Sequence, residues 1–326
     1  MSKVSKKVIG VDVGAKYLTV SFKDLEGRDL VFNIENSKHA ILLFLKKFSV
    51  EDYCFVIEAT GNYSHRILHL SLLQGFESSL INCMSIKYFA SLKNIISKTD
   101  FEDAKLIRLY GETFVRKVYL AKSVEIEYLD QELKLLNDLE EEKRRYEVKL
   151  KSLHYNLHLN PNVEKHYERR IKHLAKEIKE VLSRLPELQD EEFKETKDLL
   201  QSVSGIGEKT SLQLMTATSG FKNFNSAKSL SKYFGLAPRI HQSGKKSYSP
   251  GKCRTSKTHI RGLIYVCSWS AIKHNKQCKE FYERLLSQGK AKKLALIAVC
   301  NKLLRICFGV VKNKTKYQPD YQKNFK

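Results

Sequence analysis

Four acidic residues and one serine have the types and spacing needed for chemistry on a phosphodiester. Asp12 interrupts an otherwise apolar, strand-like run (VIGVDVGAKYLTVSF), and Glu58 closes a second short apolar run (CFVIE). A carboxylate in such surroundings needs a partner. Asp100 and Asp103, in KTDFEDAK, stand three apart at the start of an expected helix and so share one face. Two strand-borne acids and a helical pair can meet in one pocket at strand ends, where four carboxylates stay ionised only beside cations. Two Mg²⁺ ions would neutralise them, or Mn²⁺, since all-oxygen donors suit either metal. Such a pair, about 4 Å apart, clamps the attacking and leaving oxygens of a phosphodiester. Each acid alone has a plainer use. Asp100 and Asp103 can cap a helix and favour its dipole, and Asp12 fits the Asp-x-Gly phosphate turn of an actin-like ATPase.

The serine is Ser243, before Gly244 and flanked by Arg239, Lys245 and Lys246. In that setting a hydroxyl can attack a scissile phosphate while the cations stabilise the charge. Most Ser-Gly pairs are only turns, and Ser247, Tyr248, Ser249 and Ser256 compete as nucleophiles. Upstream, Gly205-Ile206-Gly207 lies between two amphipathic stretches and fits a helix-hairpin-helix. Its glycines, with Lys209 beside them, would let backbone N–H groups approach a phosphate. An ordinary tight helix-helix turn is the plain alternative. Arg254, Lys257, Arg261 and the group Lys290, Lys292 and Lys293 suit contacts to backbone phosphates, a salt-sensitive contribution.

Three regions must position these groups. Residues 1–124 alternate strands and helices: Val8–Phe22 and Asp29–Ile34 around a hairpin turn at Glu26-Gly27, a helix over His39–Phe48, a buried strand at Cys54–Glu58, a helix from Ser64 to Gln74 ended by Gly75, and a strand at Ser79–Asn82. Residues 125–192 carry apolar residues in steps of three and four. They run from Leu129, Leu133, Leu136 and Leu139 through Tyr146, Leu150, Leu153 and Leu157, then from Ile171 to Leu185 after Asn160-Pro161-Asn162. That is a coiled-coil helical hairpin with too little core to stand alone, so pairing with a second protomer is expected; a spacer within one chain is the alternative. Residues 193–326 are mainly helical.

Charge separates the regions further. The net charge is +22, yet residues 201–326 hold 25 Lys/Arg against 4 Asp/Glu, and the first 200 residues are nearly neutral with 33 against 32. A region that basic calls for a polyanion, most simply nucleic acid, ahead of a ribosome or a membrane surface. The seven cysteines form no C-x-x-C pair and suit a reducing compartment. MSKVSKK leads into a strand without the apolar core of a signal peptide, and Leu294–Val311 is interrupted by Lys302 and Arg305. A cytoplasmic protein with no membrane partner is expected.

Taken together, GVDVGAKYLTVSF, VIEATGNY and KTDFEDAKLI resemble the Asp-Glu-Asp-Asp, RuvC-like domain (ribonuclease-H fold) of the Piv and IS-one-ten type insertion-sequence transposases. GLAPR, the downstream QSGK and FYERLLSQGKAKKLALIAVCNKLLRI resemble the C-terminal transposase domain of the same group. The resemblance implies an α/β RuvC-like domain, a coiled-coil hairpin and a mainly α transposase domain. It implies metal ligation by Asp12, Glu58, Asp100 and Asp103, with Ser243 as nucleophile. It also implies donor and target double-stranded DNA as substrates, a guide (bridge) RNA pairing with both, and a homo-oligomer that is tetrameric at the synapse. KKSYSPGK, after Ser243, departs from the glycine-rich run of relatives. The rivals are a hydrolytic nuclease or Holliday-junction resolvase with Ser243 idle, a Piv-type invertase, and a silent nucleic-acid-binding protein.

Overall fold

The first apolar run breaks at the second of its two glycines. Val8–Phe22, expected as one stretch, is two antiparallel strands, β1 (Lys7–Val13) and β2 (Tyr17–Lys23), because Gly14 N–H bonds the Tyr17 carbonyl at 2.9 Å and turns the chain. This chain, seen in a computed structural model, is described over residues 6–24, 26–95, 99–114, 117–237, 241–243, 246–248 and 258–319. It divides into two units, Met1–Ala121 and Lys122–Lys326.

The first unit is a five-stranded mixed sheet with helices. β3 (Asp29–Glu35) pairs antiparallel with β2, while β4 (Tyr53–Glu58) and β5 (Ser78–Ile81) run parallel to β1, in the order β3-β2-β1-β4-β5. This mixed α/β architecture is consistent with a ribonuclease-H-like fold. Alternation along the central strands sorts side chains by face. Ile9, Val11, Val13, Phe55 and Ile57 enter a core that includes residues of α1 (Lys38–Leu45) and α2 (His65–Leu73). Val8, Cys54 and Val56 enter the core that includes residues of α3 (Cys83–Leu92) and α4 (Asp100–Thr113). The helix expected from Ser64 starts as a 3₁₀ turn at Gly61–Ser64, and Gly75, at φ +89°, follows its end.

Two glycines decide how closely α4 lies on the sheet. A Cβ at Gly10 would come within 2.4 Å of Arg108 N and 2.5 Å of Ala104 O, and one at Gly111 within 2.5 Å of Val56 Cγ2 and 2.9 Å of Val8 Cγ1. Gly111 thus lies over Val8 while Ala104 and Arg108 lie over Gly10, so α4 runs antiparallel to β1 and its first turn comes over the end of β1. Arg108 is buried beneath, with Nε donating to Ser21 Oγ at 3.2 Å and the guanidinium pairing with Asp29 at 3.0 Å and Glu112 at 2.8 Å.

In the second unit, α5 (Val124–Leu153) and α6 (Pro161–Arg184) form an antiparallel pair, with Ser123 and Asn160 as N-caps and Pro161 in the first turn of α6. Leu129, Leu133, Leu136, Val181 and Leu185 share one core with α7 (Glu191–Gln201), α8 (Glu208–Thr218), α9 (Ala227–Tyr233), α10 (Thr258–His274), α11 (Lys276–Ser287) and α12 (Lys292–Asn313). Farther out the pair is joined by polar contacts such as Arg170–Glu142 at 2.9 Å and His154–Glu164 at 3.0 Å. Leu157, placed in the seam by its spacing, lies beyond the end of α5 and is exposed. By length and composition α12 could cross a membrane, but Leu296, Val299, Cys300, Leu303, Leu304 and Cys307 are buried in this core. Among the described residues no cysteine is joined in a disulfide.

Candidate active site

Parallel register brings the first two acids together. Val11 pairs with Ile57 across β1 and β4, so the next residues, Asp12 and Glu58, stand side by side at the ends of adjacent strands. They lie on the face that Gly10 opens to α4. The Asp12 carboxyl hydrogen-bonds Glu58, and the charges of Asp103 and Asp100 reach it as well. Burial, then the bond to Glu58, then the three negative neighbours push Asp12 up to about 7 from 3.8. Thr99 caps α4, its Oγ1 accepting from Glu102 N at 3.2 Å, so Asp100 and Asp103 also occupy the first turn, where the helix dipole favours them. The helix-cap role and the shared pocket are therefore compatible.

The donor set is all carboxylate, which fits an oxygen-seeking divalent ion. A hydrogen bond between two carboxyls requires a shared proton, and a cation could replace it. Asp100 and Asp103 act on Asp12 through their charge. Among the described residues no three His, Cys, Asp or Glu side chains are gathered as a ready-made metal site.

Three residues that support this unit carry no sequence signal, and the first of them touches the pocket. Cys83, first in α3, donates to the Ala59 carbonyl at 3.1 Å and hydrogen-bonds Glu58; burial, followed by that bond, pushes its thiol up. Asn36 is buried and its side-chain amide donates to the carbonyls of Gly14 (3.0 Å) and Tyr63 (3.2 Å), tying together the loops that leave β1 and β4. Arg108 supports α4. Each depends on chain segments far apart in sequence.

In the second unit, Ser243 is the last residue of β6 (His241–Ser243), paired through its backbone with Lys246, the first residue of β7 (Lys246–Tyr248). Arg239, Gly244, Lys245, Arg254 and Lys257 lie outside the described residues. Arg261 is half-buried on α10. The Gly205–Gly207 turn joins α7 to α8. Gly205 has φ +105° and a Cβ there would come within 2.9 Å of Ala271 Cβ, so its glycine is explained by packing. Gly207 has open space at its Cβ position and is the N-cap of α8, with no side-chain cap. Lys209 is ion-paired with Glu140 of α5. The turn expected to be one phosphate cradle thus divides into a packed glycine, an open glycine and a lysine already engaged.

Residues 9–153 match the family model for the DEDD transposase of IS110, and residues 197–283 match that of the transposases of the IS116/IS110/IS902 family. The chain belongs to the IS110-type transposases. This transposase is 29% identical to the pilin gene-inverting protein of Moraxella bovis over 80% of this chain and 81% of that protein. It is 27% identical to the pilin gene-inverting protein of Moraxella lacunata, over 96% and 98% of the two chains. It is 24% identical to the transposase for insertion sequence element IS1111A of Coxiella burnetii, over 96% and 91%. The IS110-type transposase is accordingly a DNA recombinase, and its first matched segment contains Asp12, Glu58, Asp100 and Asp103.

Proposed function

We propose that this recombinase cuts and rejoins the DNA of a mobile insertion sequence by combining the carboxylate pocket with Ser243. The observation that carries the reading is the juxtaposition of Asp12 and Glu58 on adjacent parallel strands, under the negative field of Asp100 and Asp103. Those four residues would hold Mg²⁺ or Mn²⁺, two ions by the number of donors. When bound, the metal supplies electrostatic stabilisation to the charged oxygens of a scissile phosphate. The chain's own part begins with Ser243. Its Oγ attacks phosphorus, a backbone P–O bond breaks as the Oγ–P bond forms, and the hydroxyl proton passes to the leaving oxygen. Arg239, Lys245 and Lys246, neighbours of Ser243 in sequence, offset the charge that develops. The phosphoserine link conserves bond energy for rejoining.

Around this chemistry, the basic second unit takes donor and target double-stranded DNA. The uncapped start of α8 at Gly207 supports a helix-hairpin-helix contact, with Gly205 shaping the turn, and Arg254, Lys257 and Arg261 hold backbone phosphates. Lys209 would have to leave Glu140 to join them. A guide (bridge) RNA pairs with donor and target, and α5 and α6 act as a coiled coil that joins protomers into a dimer, then a tetramer at the synapse. Such a protein works in the cytoplasm.

The test is a covalent adduct. Full-length protein is incubated with Mg²⁺, element-end DNA and RNA transcribed from the element's flank, then run on a denaturing gel. An RNA-dependent protein–DNA adduct that vanishes in Ser243→Ala and Asp12→Ala is expected. Cleavage without an adduct would assign the chain to hydrolytic nucleases and remove the role of Ser243. Similarity to two pilin gene-inverting proteins favours a second outcome for the same chemistry, inversion of a DNA segment. Recombination assays on directly and inversely oriented sites separate the two.

A further inference from the structure

Two tyrosines follow the acid-bearing strands β1 and β4 in the chain, their rings left in solvent while the backbone next to them is pinned. Tyr17 begins β2 and is 58% exposed; Tyr63 lies in the 3₁₀ turn after β4 and is 57% exposed. Each follows an acid of the pocket by five residues, Asp12 in one case and Glu58 in the other. Isolated exposed aromatics are ordinary on protein surfaces. These two differ in what lies beneath them. Asn36, 7% exposed, donates its side-chain amide to the carbonyls of Gly14 and Tyr63, and its backbone N–H to the Lys16 carbonyl at 2.8 Å. Arg66 donates to the Asn36 carbonyl. A single buried amide thereby fixes the turn that leads into Tyr17 and the turn that holds Tyr63, and its own Oδ1 is buried with no hydrogen-bond partner among the described residues. The rim also presents the exposed cations Lys16 and Arg66, with Glu35 paired to Tyr17 across β2 and β3.

We infer that Tyr17 and Tyr63 form a stacking rim for unpaired bases of the DNA strand next to the scissile phosphate. The inference rests on the reading that Asp12 and Glu58 address that phosphate. Five residues span at most about 17 Å, so a strand anchored at the acids passes the tyrosines within its neighbouring nucleotides. Stacking on an aromatic face is tolerant of sequence, because every base has a π-face, and adjacent cations attract the backbone. Bases become available when the duplex opens for strand exchange. Held there, they keep the cut end in register with the pocket. Tyr17 and Tyr63 are positioning residues, and Asn36 acts through them.

The probe is an element-end duplex carrying 2-aminopurine at each position flanking the scissile bond in turn. It is mixed with full-length protein and flank RNA in Ca²⁺ for fluorescence, and in Mg²⁺ for joining. Quenching is expected at one or two positions. It should be lost in Tyr63→Ala or Tyr17→Ala and kept in the Phe variants, with strand affinity falling about 5- to 100-fold in the Ala proteins. Asn36→Ala should weaken quenching at both positions while the thermal midpoint stays above the assay temperature. Folded Ala variants that quench like wild type would overturn the rim, as would wild-type protein that joins the duplex without quenching at any position. Quenching with no cleavage or adduct in Mg²⁺ would instead count against the proposed chemistry and leave the rim standing.

Discussion

Asp12 concentrates the conflict between stability and function in this molecule. Folded, it keeps its proton up to about pH 7; free of the fold, it would lose it near 3.8. Between those values the unfolded chain releases a proton that the folded chain retains, so metal-free stability falls as pH rises from about 4 to about 7. Asp12→Asn removes that penalty. At about pH 8 without divalent metal its thermal midpoint is expected to rise by about 2–4 °C, while recombination disappears. A lower midpoint would show that the carboxyl itself holds the strands together. For the wild type, stabilisation by added Mg²⁺ should grow between about pH 6 and 8, since binding must displace the Asp12 proton. Flat pH dependence, measured by thermal shift, would separate the metal from this carboxyl.

At the scale of elements, close packing is what places the acids. Gly10→Ala drives a methyl into the backbone of α4 at Arg108 and Ala104. It is expected to cost about 2–3 kcal/mol in urea unfolding, and the surviving folded protein should need more Mg²⁺, because Asp100 and Asp103 shift with the helix. Arg108→Met strips Ser21, Asp29 and Glu112 of their common partner, with a similar loss of about 2–3 kcal/mol. The α7–α8 turn offers a cleaner contrast. Gly205→Ala meets both a left-handed backbone and Ala271, and should destabilise the second unit by about 1–3 kcal/mol. Gly207→Ala has open space at φ −92° and should leave the thermal midpoint within about 1 °C while weakening DNA binding. Unchanged binding on a gel-shift assay would reduce the turn to a helix connection.

For the whole molecule, the placement of charge predicts how it meets its substrate. With 25 Lys/Arg against 4 Asp/Glu after residue 200, binding to DNA should weaken steeply between about 50 and 200 mM salt through counterion release. Replacing Lys290, Lys292 and Lys293 by Ala should lower the slope of log affinity against log salt by about 0.9 for each phosphate left without its lysine. Affinity should fall alike for cognate and unrelated duplexes, because phosphate contacts carry no sequence information. An unchanged slope would mean that these lysines face away from the nucleic acid.

Much of this protein is legible in its sequence, because it resides in local chemistry. Charge asymmetry, the helical period of residues 125–185 and the acids ending apolar runs are properties of short windows of chain. So is the Asp100–Asp103 pair, since a spacing of three means one helical face whatever the helix packs against. The Gly14 turn is not legible in that way, because it splits a run of β-formers whose composition favours one strand. The tertiary structure alone decided that Asp12 and Glu58 are neighbours, because the β1–β4 register joins residues 46 apart in number. It alone showed why Gly10 and Gly111 must be glycines, why Arg108 is buried, and why Asn36 binds two loops. Those are long-range contacts, and the free energy of each depends on which backbone arrives on the other side.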